Sequence, residues 1–314
     1  MKALVTRNTG SWYTVRSEDG KYIDCKIKGT FRLKGIRSTN PVAIGDWVDV
    51  DVPTSATTQE QTPFIYNIYD RKNYIIRKSI NLSKQSQIIA ANVDQAFLVI
   101  TVAHPQTSTT FIDRFLASAQ AYRIPVILLF NKIDLLNAEQ KEYQDSLISV
   151  YGKIGYECIE ISATNPDSVE VLGSRFKDKM SVLSGHSGVG KSTILNHFIT
   201  GYQQKTAEIS DAHDQGVHTT TFAEMFEARG GYLIDTPGIR GFGTFDFERE
   251  EIGHYFIDIF QYSKQCRFSN CTHTHEPGCA VLQAIEDGHI AQTRYNSYLS
   301  MLGDKDENRY REKL

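Results

Sequence analysis

The sequence predicts a multidomain protein in three parts: an all-β barrel over residues 1–72, a central α/β domain over 73–246 and a mostly helical C-terminal domain over 247–314. Three observations carry that expectation: short alternating runs divided by glycines at the start, apolar runs separated by amphipathic segments from Ala96, and a Cys/His cluster among helical pieces at the end. A chain of 314 residues exceeds the usual domain of about 100–200 residues. With 40% hydrophobic and 23% charged residues it has the composition of a folded globular protein. The longest apolar run, residues 96–103, falls far short of the ~20 residues that cross a bilayer. Residues 1–20 lack the apolar core of a signal peptide, so the protein is expected in the cytoplasm, without a membrane partner.

In the first seventy residues Ile23, Cys25 and Ile27 alternate with Asp24, Lys26 and Lys28, and Val48, Val50 and Val52 alternate with Asp49 and Asp51. A period of two sends successive side chains to opposite faces, which predicts half-buried strands. Gly10, Gly20, Gly29, Gly35 and Gly45 divide them at short intervals, which favours a small antiparallel barrel. The net charge of −3 argues against a chain-wide nucleic-acid binder, yet residues 1–39 carry nine basic and three acidic side chains, a local balance of +6. Trp12, Tyr13, Tyr22 and Phe31 lie among them. A basic groove with stacking rings holds RNA, although such rings serve equally well as barrel core. Residues 53–63 read as a loop, and the polar, basic stretch 73–87 as a connection.

From Ala96 the runs FLVIT, VILLF, CIEIS and SVLSG alternate with helical patterns near residues 111–122 and 138–151. Strands apolar on both faces predict a parallel sheet covered by helices, with ligands at the strands' C-terminal ends. After Phe247 strand signals stop, and helical pieces are expected over 248–262, 280–286 and 290–302.

The stretch Gly185, His186, Ser187, Gly188, Val189, Gly190, Lys191, Ser192 has the phosphate-loop pattern G-x-x-x-x-G-K-[ST], after a strand and before the helical run ILNHFI, and Thr193 is expected to join it at the nucleotide. Glycines let backbone N–H groups converge on phosphate oxygens, Lys191 supplies charge to the β- and γ-phosphates, and Ser192 is a magnesium ligand. Asn131, Lys132, Ile133 and Asp134 follow the strand VILLF. The Asp134 carboxylate accepts from the N1–H and exocyclic amine of guanine, donors that adenine does not offer there, which selects GTP or GDP. Taken alone, N-K-x-D is equally a helix cap. Ser162, closing the run CIEIS, and Ala163 after it supply backbone that approaches the guanine O6.

Asp235, Thr236, Pro237 and Gly238 end a further strand: Asp235 holds magnesium through water and Gly238 frees an N–H for the γ-phosphate. Between these motifs lies His218-Thr219-Thr220-Thr221, where Thr220, with Thr219 second, is expected to complete the magnesium shell in the triphosphate state. Hydrolysis is assigned to Lys191, Thr220, Asp235 and Gly238. Base-recognition elements precede phosphate elements in the chain, so the GTPase domain is circularly permuted.

Through NKID, ISA, GHSGVGKS, HTTT, DTPG, the cysteine cluster and the lead-in IIAANVDQ, the sequence resembles the small-ribosomal-subunit biogenesis GTPases of the RsgA (YjeQ) type over nearly its whole length. The resemblance implies an N-terminal OB-fold, a permuted GTPase domain, a C-terminal zinc-binding domain, and action on the maturing 30S subunit and its rRNA. DNA is not an expected partner, and the chain is expected to be a monomer. Similar to the family's pattern, Cys266, Cys271, His273 and Cys279 offer three thiolates and one imidazole, a closed set for structural zinc, with His275 as a competing ligand. Two departures stand out. Small GTPases orient the attacking water with a Gln after D-x-x-G, where this chain has Ile239, and family members carry a basic residue where Val217 precedes HTTT. Ile239 predicts slow intrinsic hydrolysis, with the ribosomal subunit supplying or ordering the missing group. It also leaves open an RNA-binding scaffold that senses nucleotide with negligible turnover. An unrelated P-loop ATPase is disfavoured by Asp134.

Overall fold

The computed structural model describes residues 1–28, 41–53, 62–78, 86–200, 202, 224–235 and 247–311. The predicted site residues Val217, His218, Thr219, Thr220, Gly238 and Ile239 lie outside these, as do Phe31 and most of the loop 53–63.

The alternating opening segment forms β1 (Lys2–Asn8), β2 (Tyr13–Ser17), β3 (Tyr22–Ile27), β4 (Trp47–Asp51) and β5 (Phe64–Ile68). Pairings β1–β2, β2–β3, β4–β5 and β1–β4 are antiparallel, and β3 pairs with β5 in parallel, so the five strands close into a barrel. Val5, Val15, Cys25, Val48, Val50 and Ile65 fill it, as the period of two requires. Val52 is exposed, because it lies beyond the last residue of β4. Of the rings, Tyr13 is core, whereas Trp12 and Tyr22 are exposed and the Lys26 ammonium lies 4.4 Å from the Trp12 ring centre.

The stretch expected as a connection instead carries a hairpin, β6 (Tyr74–Lys78) and β7 (Ser86–Ala91). Its buried Ile75 and Ile88 explain the difference: apolar, β-branched residues near its start and just past residue 87 outweigh its polar middle. Then follow β8 (Gln95–Ile100), α1 (Thr109–Ala121), β9 (Val126–Phe130), α2 (Ala138–Ile154), β10 (Glu157–Glu160), the short helices α3 (Pro166–Glu170) and α4 (Gly173–Phe176), β11 (Met180–Ser184), α5 (Lys191–Phe198), β12 (Glu224–Ala228) and β13 (Gly231–Asp235). The expected helix over 248–262 is a 3-10 stretch, Arg249–Tyr255, then α6 (Ile257–Ser263). Buried Phe256 adopts an extended backbone between them and breaks the helix. The chain ends with α7 (Ala280–Glu286) and α8 (Gln292–Arg311).

The chain divides into two compact units, residues 1–97, 163–185 and 190–241 in one, and 98–162, 186–189 and 242–314 in the other. In the first, β11 and β13 run parallel, β12 is antiparallel to β13, and β12 pairs with β1 of the barrel at Arg7 and Glu224. In the second, the order is β10-β9-β8, and every residue of β8 and β9 is buried. The C-terminal helices build a core from Phe247, Ile252, Phe256, Ile259, Tyr298 and Leu302, to which α1 adds Ala117. Beside it lies a buried charge cluster. Arg294 donates from Nη1 to Asp113 at 2.7 Å and from Nη2 and Nε to Asp258 at 2.8 and 3.1 Å, and the Tyr151 hydroxyl donates to Asp113 at 2.9 Å. Arg294 and Asp113 are 1% and 0% exposed, so removing either would strand a charge where water cannot reach it. Among the described residues no helix is long and apolar enough to cross a membrane.

Candidate nucleotide site and metal centre

In the second unit β9 and β10 are parallel, with Phe130 opposite Glu160, so the segments leaving their C-terminal ends emerge side by side. The Ile133 N–H donates to Ile161 O at 3.4 Å and ties the N-K-x-D turn to the segment carrying Ser162. Asn131 is fully buried: its backbone N–H donates to Ile100 O at 2.8 Å, and its Nδ2 donates to Val189 O at 2.7 Å. That second bond fastens the turn to residues 186–189 of the phosphate loop. Lys132 takes a left-handed backbone with φ +66° and donates from Nζ to His104 O. Asp134 stands exposed on a 3-10 turn, Ile133–Leu135, where its carboxylate is open to a ligand's donors. Ser162 is buried and Ala163, which begins the next stretch of the first unit, is half-buried.

The phosphate side lies where β11 ends and α5 begins. Gly188 and Gly190 have φ of +81° and +102°, left-handed conformations that L side chains resist, and they reverse the backbone so that α5 starts at Lys191. Ser192 and Thr193 are exposed on its first turn, where unpaired N–H groups and the helix dipole favour an anion. Lys191 Nζ donates to Gly185 O at 2.8 Å, so its cation is folded over the loop. Asp235, the last residue of β13, sits opposite Leu183 of β11. Burial pushes its carboxyl above the usual range, opposed by a hydrogen bond from the Tyr202 hydroxyl and by the Lys191 charge. The loop also has neighbours that no motif announces. The His186 ring lies 3.7 Å from that of Phe111, tilted by 32°, and the bare face of Gly188 looks onto Pro105.

Tyr202, Phe111 and Pro105 belong to no recognisable string, and their only sequence signal was proximity of the first to the end of the phosphate-loop helix. Thr220, expected on magnesium, and Gly238, expected at the γ-phosphate, lie outside the described residues.

Cys266, Cys271, His273 and Cys279 converge, with one ligand atom from each lying within 4.8 Å of the others. His273 Nδ1 is 3.6 Å from Cys266 Sγ and 3.5 Å from Cys279 Sγ, and the two sulfurs are 3.9 Å apart. A tetrahedron with zinc–sulfur bonds of about 2.3 Å and zinc–nitrogen bonds of about 2.0 Å sets sulfur–nitrogen edges of roughly 3.5 Å and sulfur–sulfur edges of roughly 3.8 Å. The residues fit that ion. Without a cation, burial pushes the Cys271 thiol up to about 12 and raises Cys279 too, while it lowers His273 and so keeps the imidazole neutral, as a metal ligand must be. His275 is exposed and its Nδ1 pairs with the Thr274 hydroxyl at 2.8 Å. The loop is braced from behind by Tyr295 and Tyr298, whose hydroxyls donate to His273 O and Thr272 O at 2.7 and 2.8 Å. From the front Glu276 accepts from Thr272, Thr274 and His275 backbone N–H groups.

Comparison with known proteins agrees with this architecture. Residues 68–245 match the family model of the RsgA GTPase, and residues 2–58 match that of the RsgA N-terminal domain. Over 312 residues, 99% of each chain, the sequence is 59% identical to the small ribosomal subunit biogenesis GTPase RsgA of Bacteroides fragilis, and over the same span 57% identical to that of Phocaeicola vulgatus. The circularly permuted GTPase YloQ superposes with a TM-score of 0.75 at 29% identity, covering 98% of this chain and 95% of its own. YjeQ from Thermotoga maritima superposes with a TM-score of 0.76 at 33% identity, covering 96% and 97%. A closed N-terminal barrel, a permuted nucleotide domain and a Cys₃His cluster able to hold zinc thus sit in one chain, which belongs to the RsgA GTPase family and hydrolyses GTP.

Proposed function

We propose that this GTPase acts in late maturation of the 30S ribosomal subunit, binding rRNA through its basic barrel and using GTP as a timing signal. The Asn131 bond to Val189 O carries the nucleotide part of the reading, because it ties the base-recognition turn to the phosphate loop at 2.7 Å. The target is supported by the end-to-end similarity to proteins named for small ribosomal subunit biogenesis. In this reading Asn131, Lys132, Asp134, Ser162 and Ala163 hold the guanine, and residues 185–193 cradle the phosphates. Ser192 and Thr220 ligate magnesium, which supplies charge neutralisation at the β- and γ-phosphates. Asp235 reaches that ion through water, and Gly238 donates to the γ-phosphate. Cys266, Cys271, His273 and Cys279 hold one structural zinc ion. The three functional divisions are residues 1–72, 73–246 and 247–314, in a monomer working in the cytoplasm.

Ile239 offers no group to orient the attacking water, so the isolated protein turns over slowly and the subunit supplies or orders what is missing. GTP hydrolysis measured at fixed salt, alone and with purified 30S subunits, with ATP as control, tests the proposal. The expected result is stimulation of about tenfold or more for GTP only. No stimulation would favour an RNA-binding scaffold in which nucleotide binding, rather than turnover, is the signal.

A further inference from the structure

One short segment of the second unit touches both halves of its nucleotide-facing surface and then the C-terminal helices. His104 O accepts from Lys132 Nζ, Pro105 lies against Gly188, and Phe111, in the first turn of α1, packs on the His186 ring. Two residues further on, about 200° around the helix, Asp113 holds Arg294 of α8 at 2.7 Å. Arg114 adds a second tie, donating from Nη2 to Ser300 Oγ at 3.1 Å. One rigid helix therefore presents a ring to the phosphate loop on one side and a buried carboxylate to α8 on the other.

A loop with glycines at 185, 188 and 190 has little stiffness of its own. Whatever order it lacks before binding must be supplied when the nucleotide arrives, at the expense of affinity. We propose that Phe111 is a positioning residue that pre-orders the phosphate loop through His186, and that α8, gripping α1 through Arg294 and Ser300, sets how firmly it does so. Phe111 acts on nucleotide affinity rather than on the chemical step. The C-terminal domain thereby gains a route to the nucleotide through α1. The inference rests on the reading of residues 185–193 as the phosphate cradle.

The test uses the full-length protein and release of a fluorescent GDP analogue. An aromatic pair of this kind predicts release about three- to tenfold faster in Phe111→Ala, with a matching rise in KM for GTP and little change in kcat. Phe111→Tyr should restore the ring contact and slow release again, which a merely structural defect at this position would not require. Ser300→Ala, which cuts the Arg114 tie without touching the buried Arg294 cluster, should speed release in the same direction by a smaller factor. Lys191→Ala run alongside separates the two levels. If Lys191→Ala abolishes binding while Phe111→Ala releases at the parent rate, the positioning role is overturned and the cradle stands. If Lys191→Ala binds normally, the cradle reading falls and takes the inference with it.

Discussion

The metal cluster and the nucleotide-binding segments are built on opposite plans. All four cluster ligands come from fourteen consecutive residues, and the loop between them is braced by Tyr295, Tyr298 and Glu276. The segments proposed to bind nucleotide come from points spread over more than a hundred residues, and within them Lys191 donates to Gly185 O and Asp235 accepts from the Tyr202 hydroxyl. A site whose groups already satisfy one another in a closed set has nothing to gain from moving. If Lys191 and Asp235 serve phosphate and magnesium as proposed, their present partners must give way when the ligand comes. The contrast is the one expected between a structural centre and a working one.

The largest effect should come from breaking the closed set. Structural zinc contributes on the order of 10 kcal/mol to folding in small zinc domains, comparable with the whole stability of a typical domain. Cys266→Ser, or chelation, should therefore unfold the C-terminal helices. The two tryptophans, Trp12 and Trp47, both lie in the barrel region, so their emission should stay unchanged while far-ultraviolet circular dichroism loses helical signal. Metal analysis supplies the decisive number: a purified protein without about one zinc per chain would remove the basis of the expectation.

Next in size is Asp134→Ala. Loss of two hydrogen bonds to a charged carboxylate should cost about 3 kcal/mol, roughly a hundredfold in GTP affinity, with ATP binding unaffected. Discrimination between the two nucleotides should narrow by the same factor. Calorimetry with GDP and ADP measures it, and an unchanged ratio would mean that the exposed carboxylate does not read the base.

The same contrast explains what could be read from the amino-acid sequence. The cluster is local, its four ligands lying within fourteen consecutive residues. The phosphate loop and N-K-x-D are also local, each a strand, a turn and a helix start whose glycines or caps are written in consecutive residues. The barrel strands show in the alternation around Cys25 and Val48. By contrast Arg294 and Asp113 are 181 residues apart, and Phe111 meets His186 from a helix that reads only as amphipathic. Such contacts depend on how separate elements pack in space, and no periodicity encodes them. The β6–β7 hairpin was hidden for a related reason: its burial falls on a few isoleucines at either end of a stretch whose average is polar.

The smallest effect is expected at Tyr202, a hydrogen-bond partner of Asp235 rather than a proposed ligand group. Tyr202→Phe removes one hydroxyl and no volume. Asp235 is buried and pushed up by that burial, with the Tyr202 bond and the Lys191 charge as the opposing influences, so the variant removes the hydrogen bond and keeps the charge. If Tyr202 positions Asp235 for magnesium, the nucleotide complex of the variant should need more of the ion, by about tenfold, equivalent to a single lost hydrogen bond to a charged group. If Tyr202 instead only occupies Asp235 until magnesium arrives, the variant should bind the ion as well as the parent or better, while the nucleotide-free protein loses about 1 kcal/mol of stability. A magnesium titration of nucleotide release, paired with a melt of the free protein, distinguishes a positioning hydroxyl from a placeholder. Either result measures how far the working site must rearrange, a quantity that the cluster, closed on itself, does not possess.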